Sequence, residues 1–198
     1  MFEREIRDLS HVPRWTIART IRQQNVAEHS FYVAVYALQI AKIINWSTSE
    51  DDLLALTSIA LIHDLHESFT GDTPGPVKRS TYAAGQSTEW IAAQMNARFA
   101  NLAISNKTHN GDEINAILKA ANLLDELFFL AGEKQMGNKS INALIGAVEN
   151  RTYKAWLALP GYNIETLSQQ WDMYVQPAYL RELLGNSEVV ENDSDLAI

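Results

Sequence analysis

Apolar positions recur along this chain at steps of three and four, the repeat of one face of a helix, and no stretch keeps the two-residue alternation of a half-buried strand. After the turn at Asn25, the residues Phe31, Val35, Leu38 and Lys42 follow at helical steps with only the last polar, which predicts a helix over 26–46. The next segment opens Ser47-Thr48-Ser49-Glu50-Asp51-Asp52. A hydroxyl followed by acids suits the unpaired N–H groups and the positive end of a helix start. This second helix is expected to run on through His63, Asp64 and Glu67 and to stop at Gly71. Asp72-Thr73-Pro74-Gly75-Pro76 sets two prolines and a glycine where the helix would continue, so a constrained loop is expected there. Further helices are expected over 87–104, 112–132, 140–159 and 164–184, the last broken near Pro177. The pattern predicts an all-α bundle of roughly six to eight helices without internal repeats.

With 198 residues the chain has length for one domain, expected over 1–184, followed by an acidic tail over 185–198 that contains no base and is expected to be disordered. The hydrophobic fraction of 46% is that of a globular protein, and the formal charge of −8 argues against a surface that neutralises a long nucleic acid. A small-molecule substrate fits better. Cysteine is absent, so any metal site must be built from histidine, carboxylate, amide and water, which excludes a zinc-finger type of site. The segment MFEREIRDLS lacks the apolar core of a signal peptide, and no apolar run approaches the roughly 18 residues of a membrane span. A cytoplasmic protein without membrane contact is the expectation.

The chemistry concentrates in His29 and in the run ALIHDLHESFTGDTPGPVK that carries His63 and Asp64. Neutral imidazole and carboxylate are the ligand types that hold a divalent cation. If the helix is continuous, His63 and Glu67 project from nearly one face and Asp64 lies about 100° away, so the adjacent His63-Asp64 pair can straddle one ion. Glu67 would then stand one turn further on, placed to orient or deprotonate the attacking water. This is a layout for metal-assisted hydrolysis. His11, His66 and His109 carry no partner pattern and are read as structural, with His66 facing away from the metal; Glu28 favours a helix N-terminus.

Taken together, Arg14-Trp15, Val26-Ala27-Glu28-His29-Ser30, His63-Asp64-Leu65-His66-Glu67 and Gly71-Asp72-Thr73-Pro74-Gly75-Pro76-Val77-Lys78 resemble, in order and spacing, the HD-domain phosphohydrolases of the YfbR-like 5′-deoxynucleotidase group. They also resemble the related bacteriophage dATP triphosphohydrolases. The resemblance extends over about residues 11–125 and implies helices packed around a divalent metal and hydrolysis at the 5′-oxygen of 2′-deoxyribonucleotides. It implies His29, His63 and Asp64 as metal ligands, Glu67 as the group acting on water, and Asp72 as positioning water or phosphate. It further implies Arg14 as a phosphate fork, Trp15 as the ring that leaves no room for a 2′-hydroxyl, and Lys78 and Lys119 as further phosphate neutralisers. Homo-oligomers are common in this family, and Trp156, Trp171 and Tyr174 are candidates either for an interface or for the core.

One position departs from the family pattern. Where the family's last metal ligand is an aspartate after Lys-x-x, this chain reads Lys119-Ala120-Ala121-Asn122, and Asp125 follows three residues later on nearly the same helical face. The fourth ligand is therefore expected to be Asn122, through its carbonyl oxygen, or Asp125. Two histidines with oxygen ligands suit Co, Mn, Zn, Ni or Fe, and Mg is kept beside them. Trp15-Thr16-Ile17 has the Trp-x-Ile spacing of the phage enzymes, and Arg19, Arg22, Lys78, Arg79 and Lys119 could serve a longer phosphate chain. The first expectation is therefore a dNTP triphosphohydrolase that releases triphosphate, with Ile17 against the base. The alternatives are a 5′-deoxynucleotidase acting on dNMPs and a non-catalytic nucleotide-binding regulator whose metal site is impaired at Asn122.

Overall fold

A computed structural model describes residues 5–46, 49–83 and 111–184. The chain runs through helices α1 (Glu5–Asp8), α2 (Val26–Ile43), α3 (Glu50–Ile62), α4 (Glu67–Thr70), α5 (Gly75–Ala83), α6 (Gly111–Gln135), α7 (Asn142–Trp156), α8 (Ile164–Gln170) and α9 (Gln176–Leu184). The described residues contain no strand, only an isolated antiparallel bridge between Pro13 and Asn25. No helix among them is long and apolar enough to cross a membrane. The all-α expectation holds, while the helix expected over 87–104 and the tail over 185–198 lie outside the described residues.

The 25-residue α6 is the axis of the bundle, packed on one side against α2 and on the other against α7 and α9. Its buried positions Ile117, Ala120, Ala121, Leu124, Leu127 and Leu130 fall at helical steps and meet Val33, Ala34, Ala37, Ile40 and Ala41 of α2. Alanines on both faces let the two helices lie close, which brings the first turn of α2 and the middle of α6 into one site. A smaller cluster of Leu9, Val26 and Leu65 ties the N-terminal segment to the turn after α3. Trp156 and Trp171 are buried and meet edge to face, so both are core, whereas Tyr174 is exposed.

Two local expectations are corrected. The helix of α3 does not continue through His63 and Glu67: it ends at Ile62, residues 63–66 form turns, and Glu67 begins a separate short helix. The reason is a competition for one acceptor. His63 Nδ1 lies 2.7 Å from the Ala60 carbonyl oxygen, the group that the Asp64 N–H would use in a continuing α-helix. The backbone tightens instead, with Leu65 N–H donating to Ile62 O and Glu67 N–H to Asp64 O. Gly71, at φ +70°, then stops α4 as expected.

The Pro-Gly loop is also shorter than expected, because α5 starts at Gly75 and holds Pro76 in its first turn, where a missing N–H leaves no helical bond unmade. Helix 164–184 opens ahead of Pro177 into a π turn over Trp171–Val175, with Gln176 N–H donating to Trp171 O. Widening that turn relieves the clash that the proline ring would make with the carbonyl four residues back.

Candidate active site

His29 sits in the first turn of α2, fully buried, because Asn25 caps that helix by accepting the Glu28 N–H at 2.9 Å and so fixes where the helix begins. Its ring faces His63 at 5.4 Å between centroids. Asp64 Oδ2 lies between them, 3.6 Å from His29 Nε2 and 3.2 Å from His63 Nε2. Both outer ring nitrogens are occupied: His29 Nδ1 faces Asp125 Oδ2 at 2.5 Å and His63 Nδ1 faces the Ala60 carbonyl. Neither oxygen can donate, so both rings carry a hydrogen on Nδ1, and each ring when neutral presents a lone pair from Nε2 to the centre.

The donor set fits a cation. His29 Nε2, His63 Nε2 and Asn122 Oδ1 are buried without a hydrogen-bond partner, an arrangement that costs free energy unless something completes it. The ligand atoms of His29, His63 and Asp64 all lie within 4.8 Å of one another. Burial lowers the pKa of His29 and keeps it neutral, as a metal ligand must be. Burial opposes the charge on Asp64 and on the His63 ring, but without a cation the two offset it: the carboxylate raises the pKa of the His63 ring, and the ring's charge holds Asp64 well below its usual range. The alternatives for a fourth ligand separate in space. Asn122 borders the cavity, whereas Asp125 lies behind the His29 ring, on its Nδ1 side. A three-residue step along α6 turns one side chain to the cavity and the other into the protein interior.

Glu67 is 1% exposed, and its Oε1 accepts from Lys78 Nζ at 3.0 Å while Oε2 has no partner. Burial, with the nearby charge of Asp64, raises its pKa to about 7 against the pull of Lys78. The break after Ile62 therefore puts Glu67 beside Asp64 by a turn rather than by a shared helical face. That turn also brings in His66, expected to face away: its ring lies within 4.8 Å of Asp64 and Glu67, with Nδ1 buried and unpartnered. Its signal in the sequence was proximity alone, and the helical projection that argued against it does not apply.

These groups open into a cavity of about 680 Å³ whose wall includes Arg14, Trp15, Ile17, Asp72, Lys78 and Glu126. Arg14 is 9% exposed at its side chain and sits between two carboxylates, 3.8 Å from Asp64 and 3.8 Å from Glu126. Arg151 of α7 meets the other oxygen of Glu126 at 3.2 Å. Trp15 stacks on Phe129, ring centroids 5.1 Å apart and 7° from parallel, and holds a left-handed φ of 62°. For a bulky side chain that backbone costs on the order of 1–3 kcal/mol and persists only where its surroundings enforce it.

The enforcing contacts come from residues that sequence reasoning missed. Fully buried Glu133 accepts the backbone N–H groups of Ile21 and Arg22 and the side-chain amide of Asn138, while Asn138 and Ser140 both donate to Arg19 O. The loop carrying Arg14, Trp15 and Ile17 is thereby pinned to the C-terminal end of α6. Lys119 is exposed and, unlike Arg14, Trp15, Ile17, Asp72 and Lys78, does not line the cavity.

Buried imidazoles and a carboxylate converge at one end of a helical bundle, next to an arginine, an aromatic ring and a buried glutamate, and this defines an HD-domain phosphohydrolase. Two solved structures share the fold. An HD-domain phosphohydrolase of Listeria innocua superposes with a TM-score of 0.65 at 21% identity, covering 90% of this chain and 89% of the other. The cyanophage S-2L HD phosphohydrolase DatZ, solved bound to dA and one catalytic Zn²⁺ ion, gives 0.61 at 18% identity over 92% and 97%. Among sequences, a 5′-deoxynucleotidase of Shewanella oneidensis is 32% identical over 66% of this chain and 73% of its own. One from Photorhabdus temperata is 29% identical over 68% and 74%. The family model of YfbR-like 5′-deoxynucleotidases matches residues 1–160. The chain belongs to that family and is a deoxynucleotide phosphohydrolase of the metal-dependent HD class.

Proposed function

We propose that the chain is a 5′-deoxynucleotidase, hydrolysing 2′-deoxynucleoside monophosphates to deoxynucleoside and phosphate. The family match over residues 1–160 carries this reading and reverses the first expectation of a triphosphohydrolase. The charge around the cavity supports it. Of the cations invoked for a longer phosphate chain, Arg19 and Lys78 border the cavity, whereas Lys119 does not, Arg22 is engaged with Glu28 at 3.2 Å and with the Phe129 ring, and the side chain of Arg79 lies outside the described residues. Glu126 adds a carboxylate to the same wall. Arg151 also lines the cavity, but it and Arg14 already pair with Glu126, so a longer phosphate chain would compete with that carboxylate for both.

In this reading His29 and His63 through Nε2, Asp64, and Asn122 through its carbonyl oxygen would hold a divalent cation. When bound, the cation supplies Lewis acidity toward the phosphoryl group and the attacking water. Glu67 takes the proton from that water, a task matched to a pKa of about 7. The water oxygen bonds to phosphorus as the bond to the 5′-oxygen breaks, and the deoxynucleoside leaves as the alcohol, its 5′-oxygen taking a proton from solvent while Glu67 returns its own to solvent. Arg14 offers its planar fork to the phosphate, Lys78 adds charge, Asp72 positions water or phosphate, and Trp15 packs on the sugar where a 2′-hydroxyl would collide. The proposal extends to Mn, Co, Zn, Ni, Fe or Mg as the cation, to one domain over 1–184 and to a cytoplasmic homo-oligomer.

A second reading, triphosphohydrolysis, is favoured by Ile17, which is 66% exposed and borders the cavity at the position expected to touch a base. Incubating the protein with dAMP and dATP in separate reactions, with Co²⁺ or Mn²⁺, and identifying products by chromatography separates the two. Phosphate and deoxyadenosine from dAMP support the proposal. Triphosphate from dATP with dAMP untouched overturns it.

A further inference from the structure

Gln24 is fully buried and uses both ends of its amide. Its Oε1 accepts from the Trp15 indole Nε1 at 2.9 Å, and its Nε2 donates to Asp125 Oδ2 at 2.9 Å. The same Asp125 oxygen faces His29 Nδ1. The order of this chain is forced by chemistry. An indole N–H can only donate, so the amide must turn its oxygen to Trp15 and its nitrogen to Asp125. A carboxylate can only accept, so Asp125 fixes the hydrogen of His29 on Nδ1 and leaves Nε2 free to face Asp64. A substrate-facing ring held in a left-handed backbone is thus joined by three consecutive contacts to the far side of a metal-facing imidazole.

We infer that Gln24 is a positioning residue that couples the Trp15 wall of the substrate cavity to the cation centre, acting through Asp125 on His29. The inference rests on the reading of His29 as a cation ligand, and it holds whichever deoxynucleotide is hydrolysed. Occupation of the centre steadies Asp125 and Gln24, and through them the ring against which the sugar packs. Conversely, a change at Trp15 is felt by the cation although Trp15 supplies no ligand.

The test is calorimetric titration of Mn²⁺ into chelator-stripped full-length protein for the wild type, His29→Ala, Trp15→Phe, Gln24→Leu, Gln24→Glu and the Trp15→Phe/Gln24→Leu double variant. Gln24→Leu is expected to weaken Mn²⁺ binding by about 10–100-fold, the scale of an outer partner of a ligating histidine. Trp15→Phe, which removes the indole donor while keeping an aromatic ring to stack on Phe129, is expected to weaken it by about three- to tenfold, and the double variant to be no worse than Gln24→Leu, the non-additivity of residues in one network. Gln24→Glu keeps the acceptor for Trp15 and loses the donor to Asp125, so it should lose Mn²⁺ affinity while KM for the deoxynucleotide at saturating Mn²⁺ stays near the wild-type value. Wild-type affinity in Gln24→Leu, or effects of the two single changes that simply multiply, would overturn the coupling. If Gln24→Leu does not fold, an unchanged Mn²⁺ affinity in Trp15→Phe and Gln24→Glu overturns it equally. Absence of Mn²⁺ binding by the wild type, or binding undiminished in His29→Ala, removes the reading of the centre itself.

Discussion

Replacing Glu67 by glutamine should lower kcat sharply and, in the metal-free protein, make the fold more stable at alkaline than at acid pH relative to the wild type. The carboxyl is 1% exposed, with one oxygen on Lys78 and the other unpartnered, and its pKa rises from the ordinary 4.5 to about 7. A folded value above the unfolded one means that the native state holds the proton more tightly. The group's contribution is therefore intact below about pH 4.5 and is lost as pH rises toward 7. Between pH 5 and pH 8 this linkage makes the wild type lose about 2–3 kcal/mol that an uncharged isostere does not lose. An amide left unsatisfied at the Oε2 position has a cost of its own, but that cost does not vary with pH, so the change in the difference isolates the carboxylate. Urea unfolding of both proteins in chelator at pH 5 and pH 8 measures it. A stability difference that is flat across that range, or that moves against the Glu67→Gln variant as pH rises, would refute the burial argument.

Further outcomes follow from neighbouring residues. In the loaded wild type, where the charge of the cation favours the Glu67 carboxylate, the acid limb of kcat/KM should lie below the metal-free value of about 7, and Glu67→Gln should lower kcat by about 10²–10⁴, read from phosphate release. Asn122→Asp should tighten Mn²⁺ binding and Asp125→Asn weaken it by about 10–100-fold, since the first adds a charged oxygen at the cavity and the second loosens a brace behind His29. Lys78→Ala should raise KM for a dNMP while Lys119→Ala leaves it unchanged, because Lys78 borders the cavity and Lys119 does not. Glu133→Ala should lower stability by about 2–4 kcal/mol and raise KM, as two backbone N–H groups of the Trp15 loop lose a charged acceptor; denaturation and steady-state kinetics check both.

What the sequence made legible was whatever repeats locally. The three-and-four spacing placed α2 and α6 to within about three residues at each end, a usual margin for element boundaries. Adjacent motifs placed His29, His63, Asp64 and Glu67 at one centre. The break after Ile62 was hidden because it depends on a histidine side chain taking a backbone acceptor, which periodicity does not register. Gln24, Asp125 and Glu133 were hidden, or ambiguous, for a different reason: each acts across the bundle on residues distant in sequence, so its meaning exists only once α6 lies against the N-terminal segment. Lys119 has the motif spacing but is exposed and does not line the cavity, which spacing alone does not register.

Phosphate release from a deoxynucleoside monophosphate by chelator-stripped protein, before and after Mn²⁺ is restored and repeated with the matching ribonucleotide, bears most directly on the central claim. Turnover is expected only with the cation, only with the deoxyribose, and not in Asp64→Ala. Undiminished turnover in chelator, or activity retained by Asp64→Ala, would contradict the account.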